Sequence, residues 1–173
     1  MPSRAALWVV LIAALSGCGG VISKEVRSQA TPLGDYAELR EEPERFRGQT
    51  VIVGGEIIET RNKAAETRLV ILEKPLGSDE RPADSDVSGG RFMVRFARYL
   101  DPVVYQKGRK VTVAGSVVGT ETEKVGEAPY TYVVLEGREV HLWRAPERMA
   151  APYYYDPWFP WWHDPFLRHR FFW

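Results

Sequence analysis

The chain of 173 residues is long enough for one ordinary domain and too short for two. It carries 23 Lys plus Arg against 23 Asp plus Glu, so no net charge draws the whole chain to nucleic acid or to anionic lipid. Its hydrophobic content of 45% suits a globular core, and its single cysteine excludes an intrachain disulfide.

Residues 1–17 read as an export signal. Arg4 supplies a positive start, Leu7 to Leu15 form an uncharged apolar run, and Ser16 and Gly17 are small. The apolar run is about half the roughly 20 residues that a membrane-spanning helix needs. Leu15-Ser16-Gly17-Cys18 resembles the bacterial lipobox, and it closes the apolar run with the chain's one thiol. Each piece has a chemical reason. Lipid transfer needs a thiol acceptor, and a peptidase that grips the backbone needs small residues beside the cut. The resemblance implies cleavage between Gly17 and Cys18, a diacylglyceryl group on Cys18, and further acylation, with palmitate as a typical chain. One chain anchors only marginally, at about 0.8 kcal/mol per buried methylene, whereas two or more hold stably. Such lipoproteins stay in the inner membrane when Asp follows the cysteine. Gly19 implies the outer membrane, with the protein facing the periplasm.

Residues 18–34 are small, polar and aperiodic, and they read as a lipidated N-terminus and tether. A β-barrel domain is expected over residues 35–145. It opens with one short helix, capped by Asp35 with Glu38 three residues on, and a turn at Pro43-Glu44-Arg45-Phe46 follows. Tyr36, Leu39 and Phe46 are its packing residues.

From residue 50 the hydrophobic period is two. Val51, Val53 and Ile57 alternate, and Gly54-Gly55 suggests a bulge or bend. Residues 67–73 are almost continuously apolar, as in a strand covered on both faces. Residues 74–90 read as a long surface loop. Phe92, Val94 and Phe96 alternate, then Val111, Val113 and Val117; residues 130–136 and 139–143 bring the total to about six strands. Val53, Ile57, Leu69, Ile71, Phe92, Val94, Phe96, Val111, Val113 and Val117 are the expected core. Residues 47–58 and 107–118 echo each other, each reading basic, Gly, two polar residues, then Val-x-Val-x-Gly. A turn glycine feeding a strand and a second glycine bending it suit a small, partly open Greek-key barrel of the OB type, with about five or six strands. A small β-sandwich is the alternative.

Residues 146–173 form an aromatic and proline-rich tail, and residues 153–173 hold 11 of the chain's 21 aromatic side chains. Pro157, Pro160 and Pro165 forbid a regular helix or a central strand. The tail either completes the core or contacts headgroups, an envelope protein or a glycan. Residues 153–158 are expected on the barrel and residues 163–173 free of it.

The order of these pieces resembles the starvation-inducible outer-membrane lipoproteins, the Slp family. The resemblance rests on the lipobox and then on Pro43-x-x-Phe46-x-Gly48, Gly54-Gly55-Glu56-Ile57-Ile58 and Glu66-Thr67-Arg68-Leu69-Val70-Ile71 with Pro75-Leu76. It continues through Leu100-Asp101-Pro102-Val103-x-Tyr105, Gly115, Pro129-Tyr130-x-Tyr132 and Val140-His141-Leu142-Trp143. It implies a stress-linked envelope lipoprotein with no established enzymatic activity, and it assigns a role to Cys18 alone.

No other residue pattern demands a reaction. Ser116 lacks the glycine two positions earlier that a nucleophile elbow needs. Asp101 beside Pro102 reads as a turn. His141, His163 and His169 match no zinc spacing. Arg95, Arg98, Lys107, Arg109 and Lys110 form a basic cluster in sequence, yet Phe92 and Phe96 fall on the opposite strand face from Arg95, so a nucleic-acid groove is not expected. No catalytic residue, metal or cofactor is expected. The partners are the membrane, through lipid, and a candidate envelope protein or glycan at the tail. The competing reading is a periplasmic binding module for a glycan, peptide or small ligand.

Overall fold

The structure, a computed structural model, describes residues 20–145. Five strands, β1 (Thr50–Asn62), β2 (Thr67–Glu73), β3 (Arg91–Phe96), β4 (Lys110–Val125) and β5 (Ala128–Leu142), close into a barrel in the order β1-β2-β3-β5-β4. All neighbours are antiparallel except β3 and β5, which run parallel. The barrel is closed rather than partly open, and its five strands fall within the expected five or six. The two C-terminal strand candidates are one strand, because Gly137-Arg138 is a bulge and not a break: Ala114 pairs with Glu139 while Gly115 pairs with Gly137.

The interior follows the period-two pattern. All ten expected core residues are buried, each no more than 4% exposed. Tyr36, Leu39 and Phe46 join them in one cluster. Short helices α1 (Lys24–Ser28) and α2 (Tyr36–Glu41) and a 3-10 turn at Pro43–Phe46 precede the barrel, so there are two short helices where one was expected. Asp35 caps α2 by accepting from Ala37 N–H at 3.2 Å.

The sequence echo is a local two-fold. Val53 pairs with Val113 across β1 and β4, and the pairings Val51–Gly115 and Gly55–Val111 lie symmetrically about it. At one end Gly48 N–H donates to Val117 O at 2.8 Å and Val117 N–H to Gln49 O at 2.9 Å. At the other, Gly108 N–H donates to Ile57 O and Ile57 N–H to Arg109 O, both at 2.9 Å. Gly48 and Gly108 both hold positive φ, 76° and 87°, which an L side chain resists. The expected bend at Gly54-Gly55 needs a different account. The bulge lies at Ile58, between the pairs Ile57–Ile71 and Glu59–Val70. Gly55 is required because a Cβ there would run into the Leu72 carbonyl of β2.

Residues 22–31 do not form a tether. Ile22 is buried, Ser23 N–H and Oγ–H donate to the Glu139 carboxylate at 2.9 and 2.5 Å, and Arg27 pairs with Glu80 at 2.8 Å. Thr31 N–H then donates to Thr50 O at 2.7 Å. Residues 74–90 likewise fold back on the barrel, with Lys74 and Pro82 buried.

Candidate functional site

Two surfaces were candidates for a site, and the hairpin of β4 and β5 decides between them. Beyond Gly119 this hairpin leaves the barrel wall and lies over the outer faces of β1, β2 and β3. Val70, Met93 and Val134 point outward in one cross-strand row, yet each is no more than 2% exposed. They pack with Tyr132, Ile58, Val125 and Tyr130 in a second apolar cluster. Above it the arm is pinned by charge. Arg68 of β2 reaches Glu66 at 2.6 Å and Glu121 of β4 at 2.9 Å, Arg95 of β3 reaches Glu121 at 2.8 Å, and Arg61 of β1 pairs with Glu123. The Arg68 side chain is only 12% exposed. The bond to Arg68 holds the Glu66 carboxyl below the usual glutamate range, and the bond to Arg61 does the same for Glu59. The β2–β3 face, where many small Greek-key barrels receive chain ligands, is filled by the protein itself.

A groove of about 630 Å³ remains on the other side. Its floor is Ile52, Val53 and Gly54 of β1; α2 and its lead-in, with Tyr36 and Arg40, make one wall, and Leu76, Val87 and Gly89 make the other. Glu73, the last residue of β2, and Lys74 close it, and they are only 6% and 8% exposed. Gly89 N–H donates to Glu73 at 2.5 Å, and Lys74 Nζ donates to Ser85 O at 2.6 Å. Burial pushes the Glu73 carboxyl up and the nearby Asp35 charge adds to this, against the pull of the Gly89 N–H and of Lys74. Tyr36 packs its ring 5.8 Å from Phe92 and donates to Arg91 O at 3.3 Å. Burial raises its phenol far above the usual range, so it stays neutral. Apolar flanks with a buried acid and a buried base suit binding of a small polar–apolar ligand.

The residues weighed in the sequence separate in space. Ser116 Oγ lies 3.4 Å from Thr50 Oγ1, a hydroxyl that cannot act as its base. Asp101 makes a turn, accepting from Val103 N–H at 2.8 Å. His141 stacks edge-on against Trp143 at 4.8 Å. The basic cluster is dispersed: Arg95 is paired with Glu121, Arg98 lies over the Phe96 ring, Arg109 donates to Trp143 O, and Lys110 pairs with Asp84 at 2.5 Å. Among the described residues no group of three His, Cys, Asp or Glu side chains could hold a metal ion. Cys18, the Gly17–Cys18 cleavage site, His163, His169 and the aromatic tail lie outside the described residues. Sequence reading missed Glu73 and Lys74. Two charges ending an apolar run look like the start of a loop, and only the return of residues 75–90 buries them.

The fold and groove define a small β-barrel module whose usual binding face is closed and whose open cavity lies beside the N-terminal helices. The chain belongs to the outer membrane lipoprotein Slp family, whose family model matches residues 15–168. It is similar to the lipoprotein YeaY of Escherichia coli (strain K12), 33% identical over 146 residues that cover 84% of this chain and 75% of that protein. The outer membrane protein Slp of the same organism is 25% identical over 153 residues, 87% of this chain and 80% of that protein. Among solved structures, the small single-stranded DNA-binding protein of Streptomyces coelicolor overlaps 54% of this chain and 92% of its own at 16% identity and a TM-score of 0.35. No functional parallel follows from an overlap of that size.

Proposed function

We propose that this protein is a lipid-anchored lipoprotein of the outer membrane, facing the periplasm, with a non-enzymatic structural or protective role linked to starvation or stress. One observation carries the reading: the family match begins at residue 15 and so takes in Leu15-Ser16-Gly17-Cys18. Transfer of a diacylglyceryl group to the Cys18 thiol as a thioether, cleavage before Cys18 and acylation of the new amine give the two or more chains that stable anchoring needs. The barrel is of the OB type, which its strand order and its parallel β3–β5 pair support. Its β4–β5 arm covers the outer β2–β3 face, through which such barrels read nucleic acid or glycan. The test is Cys18→Ser expressed in a Gram-negative host. Palmitate labelling is expected to vanish, with the unprocessed chain accumulating. Labelled, normally processed Cys18→Ser protein would contradict the reading.

The groove favours a second reading, a periplasmic binding module for a peptide, glycan or small ligand. Its buried Glu73 and Lys74 are the supporting feature: among the described residues their hydrogen bonds go to backbone groups, and burying charged side chains carries a cost. Chemical-shift titration with envelope-derived muropeptides and oligosaccharides tests it, and shifts confined to Tyr36, Val53 and Gly89 are the expected result.

A further inference from the structure

The two ends of the described chain meet on one face. Ile22 N–H donates to Glu80 Oε2 at 3.1 Å, and Arg27 pairs with the same carboxylate. Thr112 Oγ1 donates to Glu80 O at 2.6 Å and accepts from Trp143 Nε1 at 2.9 Å. Glu80 and Thr112 thus bridge the entry of the chain at Ile22 to its exit at Trp143. Gly20 passes so close to the Arg27–Glu80 pair that a Cβ there would collide with both side chains.

This placement limits where the barrel can stand. From Cys18 to Gly20 the chain spans at most about 7 Å, whatever its conformation. The headgroup layer on one side of a bilayer is itself roughly 5–8 Å thick. A barrel docked from Ile22 onward, with lipid on Cys18, has no length of chain with which to stand off. Around the same spot Arg81 lies over the Trp143 ring at 5.2 Å, and Lys24, Arg81 and Arg144 are exposed, as are the acidic Glu25 and Asp79. The aromatic tail follows immediately: Tyr153 is within about 36 Å of Trp143 at full extension.

We propose that the face built from Gly20, Ile22, residues 77–81 and Trp143 lies against the lipid surface, and that the barrel thereby delivers its aromatic C-terminal tail to the headgroup layer. The inference rests on the lipid anchor at Cys18. With charges of both signs on this face, the short tether rather than net charge holds it to the lipid, and the Trp and Tyr rings of the tail have the amphipathic character that the membrane interface selects. The β4–β5 arm carries Glu127, at the far end of β4 from Thr112, and points into the periplasm.

The experiment uses the full mature lipoprotein in vesicles of phosphatidylethanolamine and phosphatidylglycerol, 3:1. Mass spectrometry first records the lipid on Cys18. An environment-sensitive fluorophore is then placed at Ser78→Cys or at Glu127→Cys, both exposed positions, and collisional quenchers are supplied in the lipid or in the water. Lipid quenching is expected to be several-fold stronger at position 78 than at 127. In Trp143→Phe, whose tryptophans are all in the tail, brominated lipid is expected to quench most of the emission. A lipidated protein with equal quenching at both positions and unquenched tail tryptophans overturns the docked face and leaves the anchor intact. Absence of lipid on Cys18 overturns the anchor and the docked face together. Protection of position 78 by dimerisation, seen as crosslinking between copies without lipid quenching, also overturns it.

Discussion

Val113→Asp is the sharpest probe of the barrel. Val113 is fully buried at the centre of the local two-fold, opposite Val53 of β1. A carboxyl there must stay protonated or ionise without water. Full burial raises a carboxyl by roughly 3–5 pKa units, and at pH 7 this costs about 4 kcal/mol, because the group protonates rather than ionise unsolvated. Loss of the buried valine adds about 1.5–3 kcal/mol. The sum, about 5.5–7 kcal/mol, is comparable to the whole stability of a small domain, roughly 5–15 kcal/mol. The variant is therefore expected to be unfolded, with no cooperative transition in a circular-dichroism melt. Val118→Asp is the control. Val118 is the extra residue of a bulge in the same strand and is 37% exposed, so its cost should stay within about 0.5 kcal/mol. Val113→Ala falls between them, at about 1–3 kcal/mol. In a domain of this size each kcal/mol lowers Tm by roughly 3–6 °C. A Val113→Asp protein melting cooperatively at the wild-type temperature, or a Val118→Asp protein as damaged as Val113→Asp, would refute the register.

Glu73 is raised by burial, so the fold favours its protonated form; that benefit is complete below the ordinary glutamate range of about 4.3 and is lost as pH rises through the raised value. Glu73→Gln should therefore melt above wild type at pH 7–8 and converge with it near pH 4, and an advantage that grew on acidification would contradict the assignment. Arg68→Ala strips Glu66 of its partner and leaves Glu121 to Arg95 and Glu123 to Arg61, and it should cost about 1–3 kcal/mol, between the values for exposed and buried pairs. Its cycle with Glu121→Ala should show coupling, and additive losses would mean that the arm is not held by charge. Gly55→Ala forces a Cβ into the Leu72 carbonyl and should destabilise by about 1–3 kcal/mol or more, whereas Gly48→Ala, with open space but positive φ, should cost less; the reverse order in urea melts would refute the close-approach account.

How far the sequence could be read depended on which face a residue served. Inward positions such as Phe92, Val94 and Phe96 repeat at the strand period and report themselves. Outward apolar positions do not say what covers them. The continuous run in β2 signalled cover on both faces, but Val70 could not reveal that the cover is the β4–β5 arm, because residues 118–125 are mostly polar and carry only Val118 and Val125 as apolar residues. The echo showed its turn glycines from sequence, whereas the two-fold needs the pairing of β1 with β4. Residues 22–31 looked like a tether because docking there rests on one apolar side chain, Ile22, and on polar bonds to Glu80 and Glu139, 58 and 116 residues away. The groove was hidden for the same reason: Glu73, Lys74 and Gly89 come together only when a long loop closes on itself.

The central claim, a lipid-anchored outer-membrane lipoprotein, meets its most direct test in the mass of the mature N-terminal peptide from a purified outer-membrane fraction. The account predicts a peptide that begins at Cys18 and carries a diacylglyceryl group with an additional acyl chain. A peptide that begins elsewhere, or an unmodified Cys18 in protein recovered from the soluble periplasm, would contradict it.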